Sequence, residues 1–287
     1  MKKLLSCFLT LALVLSFSST YAYANETTTF QISELEFMQY LLSLSDQELL
    51  DKGCTNEELE YFRNHDFNQD LLDFAQKVQL QSGYSEQDKK ILKSYNGAID
   101  AFNYLEATPF AGATLTFTLS KSSMDSSLVK LSYSAVWSSC PIWTATDIIA
   151  LTWRVSDSNS YPLNSTTIVD ELEVMYYLDG NKNDLLYHDF PSNQSDNFDS
   201  CYYNIEMGQT TTGEYAVALA SYGFLWILPS SGSSNMHTLE IMAAYGHSQL
   251  FTTPSVSFSE SGVSLGISFS WYVNTEHKDT YIYRVDE

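Results

Sequence analysis

From residue 114 onward the chain alternates apolar and polar positions with period two. Leu115, Phe117 and Leu119 alternate with Thr and Ser, and Val129, Leu131, Tyr133, Ala135 and Trp137 form a second set. Ile149, Leu151, Trp153 and Val155 form a third; Leu172, Val174 and Tyr176 a fourth. Tyr215, Val217 and Leu219 follow, then Leu239, Ile241, Ala243 and Tyr245, and the series closes with Val263, Leu265, Ile267 and Phe269. Successive strand residues point to opposite faces, so each set predicts a strand with one buried side. Short strands separated by Gly/Asn/Ser turns predict an antiparallel all-β sandwich. No helix-length pattern alternates with them, which argues against a parallel α/β sheet. The longest apolar run of the region, Tyr222 to Leu228, predicts a core strand ended by Pro229.

Between Ser33 and Tyr104 the period lengthens to that of helices. Leu35, Met38, Leu41 and Leu42 share one helical face. Ser45-Asp46-Gln47-Glu48 and Thr55-Asn56-Glu57-Glu58 both have the capping-box form, in which the hydroxyl and the N3 carboxylate each satisfy an orphan backbone N–H. A two-copy repeat runs through this segment: Gly53-Cys54-Thr55 with Glu58 and Tyr61-Phe62-Arg63 corresponds to Gly83-Tyr84-Ser85 with Asp88 and Ile91-Leu92-Lys93. Two copies predict a helical module rather than a solenoid.

The first residues carry a different pattern. Lys2-Lys3, an apolar run from Leu4 to Phe17, and Ala22-Tyr23-Ala24 have the order of a signal peptide: basic start, apolar middle, small-x-small cleavage site. The apolar run is short of the ~20 residues a membrane-spanning helix needs. The expected organisation is a signal peptide over 1–24, a helical module over 25–105 and a β-sandwich over 106–287, an α+β protein secreted after cleavage near Ala24.

The pattern Leu44-Ser45-x-x-Glu48-Leu49, Gly53-x-Thr55-x-x-Glu58, Arg63-Asn64-x-Asp66 resembles helical segments of exported proteins of Gram-positive bacteria, in which a Ser/Thr-rich β region follows. The resemblance extends over residues 43–97. It implies export and assigns no active residue.

Composition narrows the function. A net charge of -21 repels phosphate backbones, so nucleic-acid partners are excluded, and purely electrostatic attachment to anionic lipid with them. Cys54, Cys140 and Cys201 follow the signal region; an exported chain with an odd number predicts one disulfide and one remaining thiol, and Cys140 with Cys201, both in the β region, is the expected pair. No C-x-x-C or H-E-x-x-H spacing points to a metal, and no cofactor is expected.

Asp179-Gly180-Asn181-Lys182-Asn183-Asp184 has the oxygen spacing of a calcium loop but lacks its glycine and its bidentate Glu, and reads as a hairpin turn. Asp66-Phe67-Asn68-Gln69-Asp70 has the same defects and reads as a loop leading into a helix. The five histidines, at positions 65, 188, 237, 247 and 277, are scattered, and Tyr245-Gly246-His247-Ser248 reads as a strand end. One hairpin stands out: Val256, Phe258, Val263, Leu265, Ile267, Phe269 and Trp271 alternate with Ser in a pattern that suits either membrane insertion or an ordinary sandwich hairpin.

The reading these features support is an exported, non-catalytic binding protein with a protein, glycan or membrane partner. The alternatives are a membrane-active protein using the 255–271 hairpin and a secreted hydrolase with carboxylate chemistry. A sandwich with surface aromatics also binds glycan without catalysis.

Overall fold

A computed structural model describes residues 27–51, 54–79, 113–124, 127–195, 199–211, 213–230, 236–247, 256–258, 265–267 and 275–282, with a few helical positions between 86 and 94. Its first element is a strand, β1 (Thr27–Ser33), which runs directly into helix α1 (Glu34–Ser43). Ser33 caps α1, its hydroxyl accepting from Glu36 N at 3.4 Å. Helices α2 (Asp46–Asp51), α3 (Asn56–Asn64) and α4 (Phe67–Gln79) follow. Both expected capping boxes form: Ser45 N donates to Glu48 Oε2 at 2.8 Å and Glu48 N to Ser45 Oγ at 3.3 Å, and Thr55 and Glu58 exchange the same pair at 2.8 and 3.2 Å. The repeat's second copy falls almost entirely outside the described residues.

Antiparallel strands make up the rest: β2 (Thr114–Met124), β3 (Val129–Trp137), β4 (Thr146–Ser156), β5 (Pro162–Leu163), β6 (Ser165–Tyr177), β7 (Leu185–Asp189), β8 (Ser200–Glu206), β9 (Gly208–Thr211), β10 (Glu214–Pro229), β11 (Thr238–Gly246), β12 (Val256–Phe258), β13 (Leu265–Ile267) and β14 (Thr275–Ile282). One sheet has the order β1-β2-β3-β10-β6-β7, with β9 also paired to β10. The second has the order β14-β11-β4-β5, with β8 also paired to β4. The fold is therefore α+β, a small helical part with a sandwich-like pair of antiparallel sheets.

The period-two sets from Leu115 to Tyr245 become the core. Val129, Leu131, Tyr133, Ala135 and Trp137 are all buried, with half-buried residues between them. Contacts across the sandwich come from large side chains: the Trp137 and Tyr245 rings meet edge-on at 6.3 Å, Phe117 and Tyr245 lie 6.4 Å apart, and Trp153 Nε1 donates to Ser165 Oγ at 3.0 Å. Such pairs join β2 and β3 to β11, and β4 to β6.

The N-terminal segment differs from expectation in one respect. Residues 27–33 are not helical but form an edge strand whose register with β2 runs from Thr27↔Ser120 to Ser33↔Thr114. The helical part is thus inserted between two neighbouring strands of one sheet. The alternation here was short, Phe30 and Ile32 among threonines, but β-branched threonines suit a sheet edge.

The 256–267 hairpin pairs as read, Val256↔Ile267 and Phe258↔Leu265. Its second strand, β13, lies against β4 and β11. Part of the outer side of those strands is covered: Ile148, Ala150 and Ala244, on the side away from the sandwich core, are also sealed from solvent. Val263, Phe269 and Trp271 lie outside the described residues.

Tyr222–Pro229 is the second half of β10 and ends at Pro229, as expected, but only half of it is core. Ser221, Gly223, Leu225 and Ile227 face inward; Tyr222 and Phe224 face solvent. Gly223 sits opposite Tyr133 in the register, and the Tyr133 ring fills the space a Cβ at 223 would occupy. We predict that Gly223→Ala costs about 1–3 kcal/mol by overpacking. Urea unfolding of the single and double variants checks it: added to Tyr133→Ala, the same change costs far less, whereas strictly additive costs would contradict the steric account.

Candidate functional site

One arrangement of ionisable groups among the described residues is fully enclosed. Glu34 opens α1, Asp147 lies near the start of β4 and His247 follows the end of β11; all three are 0 % exposed. His247 stands between the carboxylates, with Nδ1 2.8 Å from Asp147 Oδ1 and Nε2 2.8 Å from Glu34 Oε1. Glu34 also accepts from two backbone amides of the β3–β4 connection, Ile142 N to Oε2 at 2.7 Å and Trp143 N to Oε1 at 3.0 Å. Tyr245 donates to Asp147 Oδ2 and accepts from Trp137 Nε1 at 3.3 Å. Trp137 also packs on the imidazole, ring centroids 4.7 Å apart.

Burial alone would lower the His247 pKa. The charge of Asp147 and its hydrogen bond, followed by those of Glu34, outweigh that and push it up to about 10. The ring is therefore an imidazolium at neutral pH and donates from both nitrogens. Burial, then the adjacent Asp147 charge, pushes the Tyr245 phenol up, so it stays protonated and donates. No imidazole lone pair is left for a substrate proton or a metal ion. Among the described residues, no group of three or more His, Cys, Asp or Glu has metal-holding geometry. The arrangement works as a clamp: it ties the first residue of α1 to β4, β11 and the loop between β3 and β4.

A second tie lies on α4. Asp70 Oδ2 accepts from Trp143 Nε1 at 2.8 Å and faces His65 Nε2 at 2.7 Å. Asp66 begins this helix as expected, its Oδ1 accepting from Asn68 N and Gln69 N at 3.1 and 3.3 Å. The Asp179 turn is likewise a hairpin turn between β6 and β7. Asp179 is buried, and its Oδ1 is taken up by Asn183 N and Asp184 N at 2.9 and 3.1 Å.

No disulfide joins Cys140 to Cys201, contrary to expectation; both are buried thiols. Their surroundings separate them. Cys201 lies beside Asp170 and Tyr133 on the inner face of β8, and burial followed by the Asp170 charge pushes its thiol up. Cys140 lies in the β3–β4 connection, within electrostatic reach of Tyr215, its thiol donating to Pro141 O at 3.6 Å. Cys54 is also a buried thiol, donating to Thr55 O at 3.2 Å.

The other feature lies on the outside of the seven-stranded sheet. On β10, Tyr222 is 42 % and Phe224 51 % exposed, and Trp226 continues the row beneath the Lys130 ammonium, 4.1 Å from the ring centroid. The register sets Ser134 beside Tyr222 and Ser132 beside Phe224 on β3, with Thr118 and Ser120 beyond them on β2. On the other side, Glu173 lies beside Tyr222 and Glu171 beside Phe224. Together the aromatic and hydroxyl residues line a shallow depression of about 130 Å³.

Neither feature was read from sequence as a site. His247 read as a strand end, which is its position, but its partners lie 100 and 213 residues away. The aromatic row read as core because a continuous apolar run does not disclose which face is covered.

No family model matches this chain, and no curated protein matches it. Among solved structures it is similar to AggA, the major subunit of aggregative adherence fimbriae type I from Escherichia coli, at 11% identity over 58% of this chain and 91% of that chain, with a TM-score of 0.23. It is also similar to AvmM, which catalyses macrocyclization in alchivemycin A biosynthesis, at 8% identity over 56% of this chain and 84% of that one, with a TM-score of 0.24. At such TM-scores neither likeness bears on what this chain does.

The clamp makes a prediction. His247→Ala leaves two carboxylates buried without their counter-ion and costs about 3–5 kcal/mol in urea unfolding. The pH dependence has a definite sign. The folded pKa, about 10, lies above the ordinary 6.5, so the contribution is complete below pH 6.5, falls as pH rises and is gone above about 10. Between those limits the wild-type protein should lose stability relative to His247→Ala; parallel pH profiles would contradict the charged clamp.

Proposed function

We propose that this chain is an exported, non-catalytic binding protein and that it binds through the outer face of the seven-stranded sheet. The observation that carries this reading is the partition of its side chains. Glu34, Asp147 and His247 are sealed and bonded to one another, while adjacent aromatic rings on β10 are left in water. Removing large aromatics from water is a main source of folding energy, so a pair of rings left exposed on a regular strand marks a surface that meets something.

Export is supported by the order of Lys2-Lys3, the Leu4–Phe17 run and Ala22-Tyr23-Ala24. The acidity, -21 for the whole chain, favours partners without dense negative charge. A membrane-active role for the 255–271 hairpin has less support, because β13 already lies against β4 and β11.

The test maps amide chemical shifts of the labelled protein from residue 25 onward, in the presence of three probes: cellohexaose and chitohexaose, an oligolysine peptide, and phosphatidylcholine–phosphatidylglycerol vesicles. We predict that at least one class moves Ser132, Ser134, Tyr222 and Phe224 together, and that Tyr222→Ser/Phe224→Ser abolishes the response while keeping the fold. Binding elsewhere, or by none of the three, would overturn the reading.

A further inference from the structure

We infer that the ligand of this face is an uncharged glycan chain lying over the β10 aromatic row. The inference rests on the reading of that face as the binding surface and adds the chemistry of its occupant.

The geometry is a row of rings with hydroxyls beside it. Alternate residues of a strand stand roughly 6–7 Å apart on one face, so Tyr222 and Phe224 present successive platforms along β10. A sugar ring has an apolar face of C–H groups ringed by hydroxyls. Its C–H face stacks on the negative face of an aromatic ring, and its hydroxyls need neighbouring donors and acceptors once water is displaced. Both are present at once. Ser132 and Ser134 flank the rings directly, and Thr118 and Ser120 form the next row, where Ser120 donates to Thr27 on β1 and Thr118 lies 3.5 Å from Thr29. Each hydroxyl both donates and accepts, which matches a ligand whose own groups do the same.

Charge then selects among occupants. Glu171 and Glu173 lie along the opposite flank of the row, so a sulfated or uronic-acid polymer meets repulsion. A basic peptide would seek those carboxylates, but Glu173 is already engaged by His188 at 2.5 Å, and the wider flank, from β3 to β2, carries hydroxyls beside the two rings. The Lys130 cation at the end of the row is placed over Trp226. What remains is a mostly uncharged strip about 14 Å across from β1 to β10, at roughly 4.8 Å per strand, bounded by the β6 carboxylates, which suits an extended neutral chain.

The deciding experiment is calorimetric titration of the protein from residue 25 onward with cellohexaose and chitohexaose, at low and high sodium chloride. We expect saturable binding of at least one of them, unchanged by salt because the oligosaccharide carries no charge for the ions to screen. Tyr222→Ala and Phe224→Ala should each weaken it roughly 3- to 10-fold, the worth of one aromatic stacking contact. Tyr161→Ala, an exposed tyrosine elsewhere, should leave it unchanged. If oligolysine or vesicles move the face and neither oligosaccharide does, the glycan assignment is wrong while the binding face stands. If the oligosaccharides bind with equal strength to the Tyr222→Ala/Phe224→Ala protein, the assignment of this face is wrong as well. Self-association that disappears in the same double variant would identify the occupant as a second copy and overturn the glycan assignment.

Discussion

A carboxylate–imidazolium–carboxylate contact holds this molecule's two parts in one frame. Glu34, His247 and Asp147 come from the start of α1, the end of β11 and the start of β4, and all are removed from water. A buried charge is costly unless it is paired and its remaining hydrogen-bonding capacity is filled. Here the amides of Ile142 and Trp143 complete Glu34, and Tyr245 contributes to completing Asp147. The contact has a geometric consequence. Glu34 directly follows β1, its backbone N–H donates to Ala113 O at 3.0 Å, and its side chain pins the β3–β4 connection. Edge strand, helical part and both sheets therefore meet at one residue.

That placement changes how the helical part is understood. A module that merely preceded a sandwich would be removable, like a pro-region. Here its first strand supplies the edge of the seven-stranded sheet, and its first helical residue is inside the core. Asp70 on α4 adds a second contact through Trp143. Removing the segment would expose the β2 edge and leave His247 and Asp147 without Glu34. Unpaired edges invite association with other chains, so the segment also protects the sheet it completes.

The sandwich was legible because burial on one face writes a period of two into the sequence. Val129 to Trp137 and Leu115 to Leu119 are buried at the positions their alternation marks. Both capping boxes were legible too, since hydroxyl and carboxylate are three residues apart. The clamp was not, because Glu34, Asp147 and His247 are ordinary residues locally and meet only through strand pairing and sheet packing. The Cys140–Cys201 pairing failed for a related reason: membership of one β region does not place two thiols side by side. The aromatic row was hidden in a continuous apolar run, where Tyr222 and Phe224 look no different from Leu225 and Ile227. Only the register separates the rings in water from the side chains in the core.

Structure and proposed function share one logic. Glu34, Asp147 and His247 fasten the fold, and the outer face of the seven-stranded sheet presents rings and hydroxyls. On this geometry His247 is a buried cation held by two carboxylates. Nitrogen-15 chemical shifts of its imidazole at pH 8 test this most directly. Both ring nitrogens should be protonated at that pH and exchange slowly with solvent. A neutral ring with one bare nitrogen at pH 8 would contradict it.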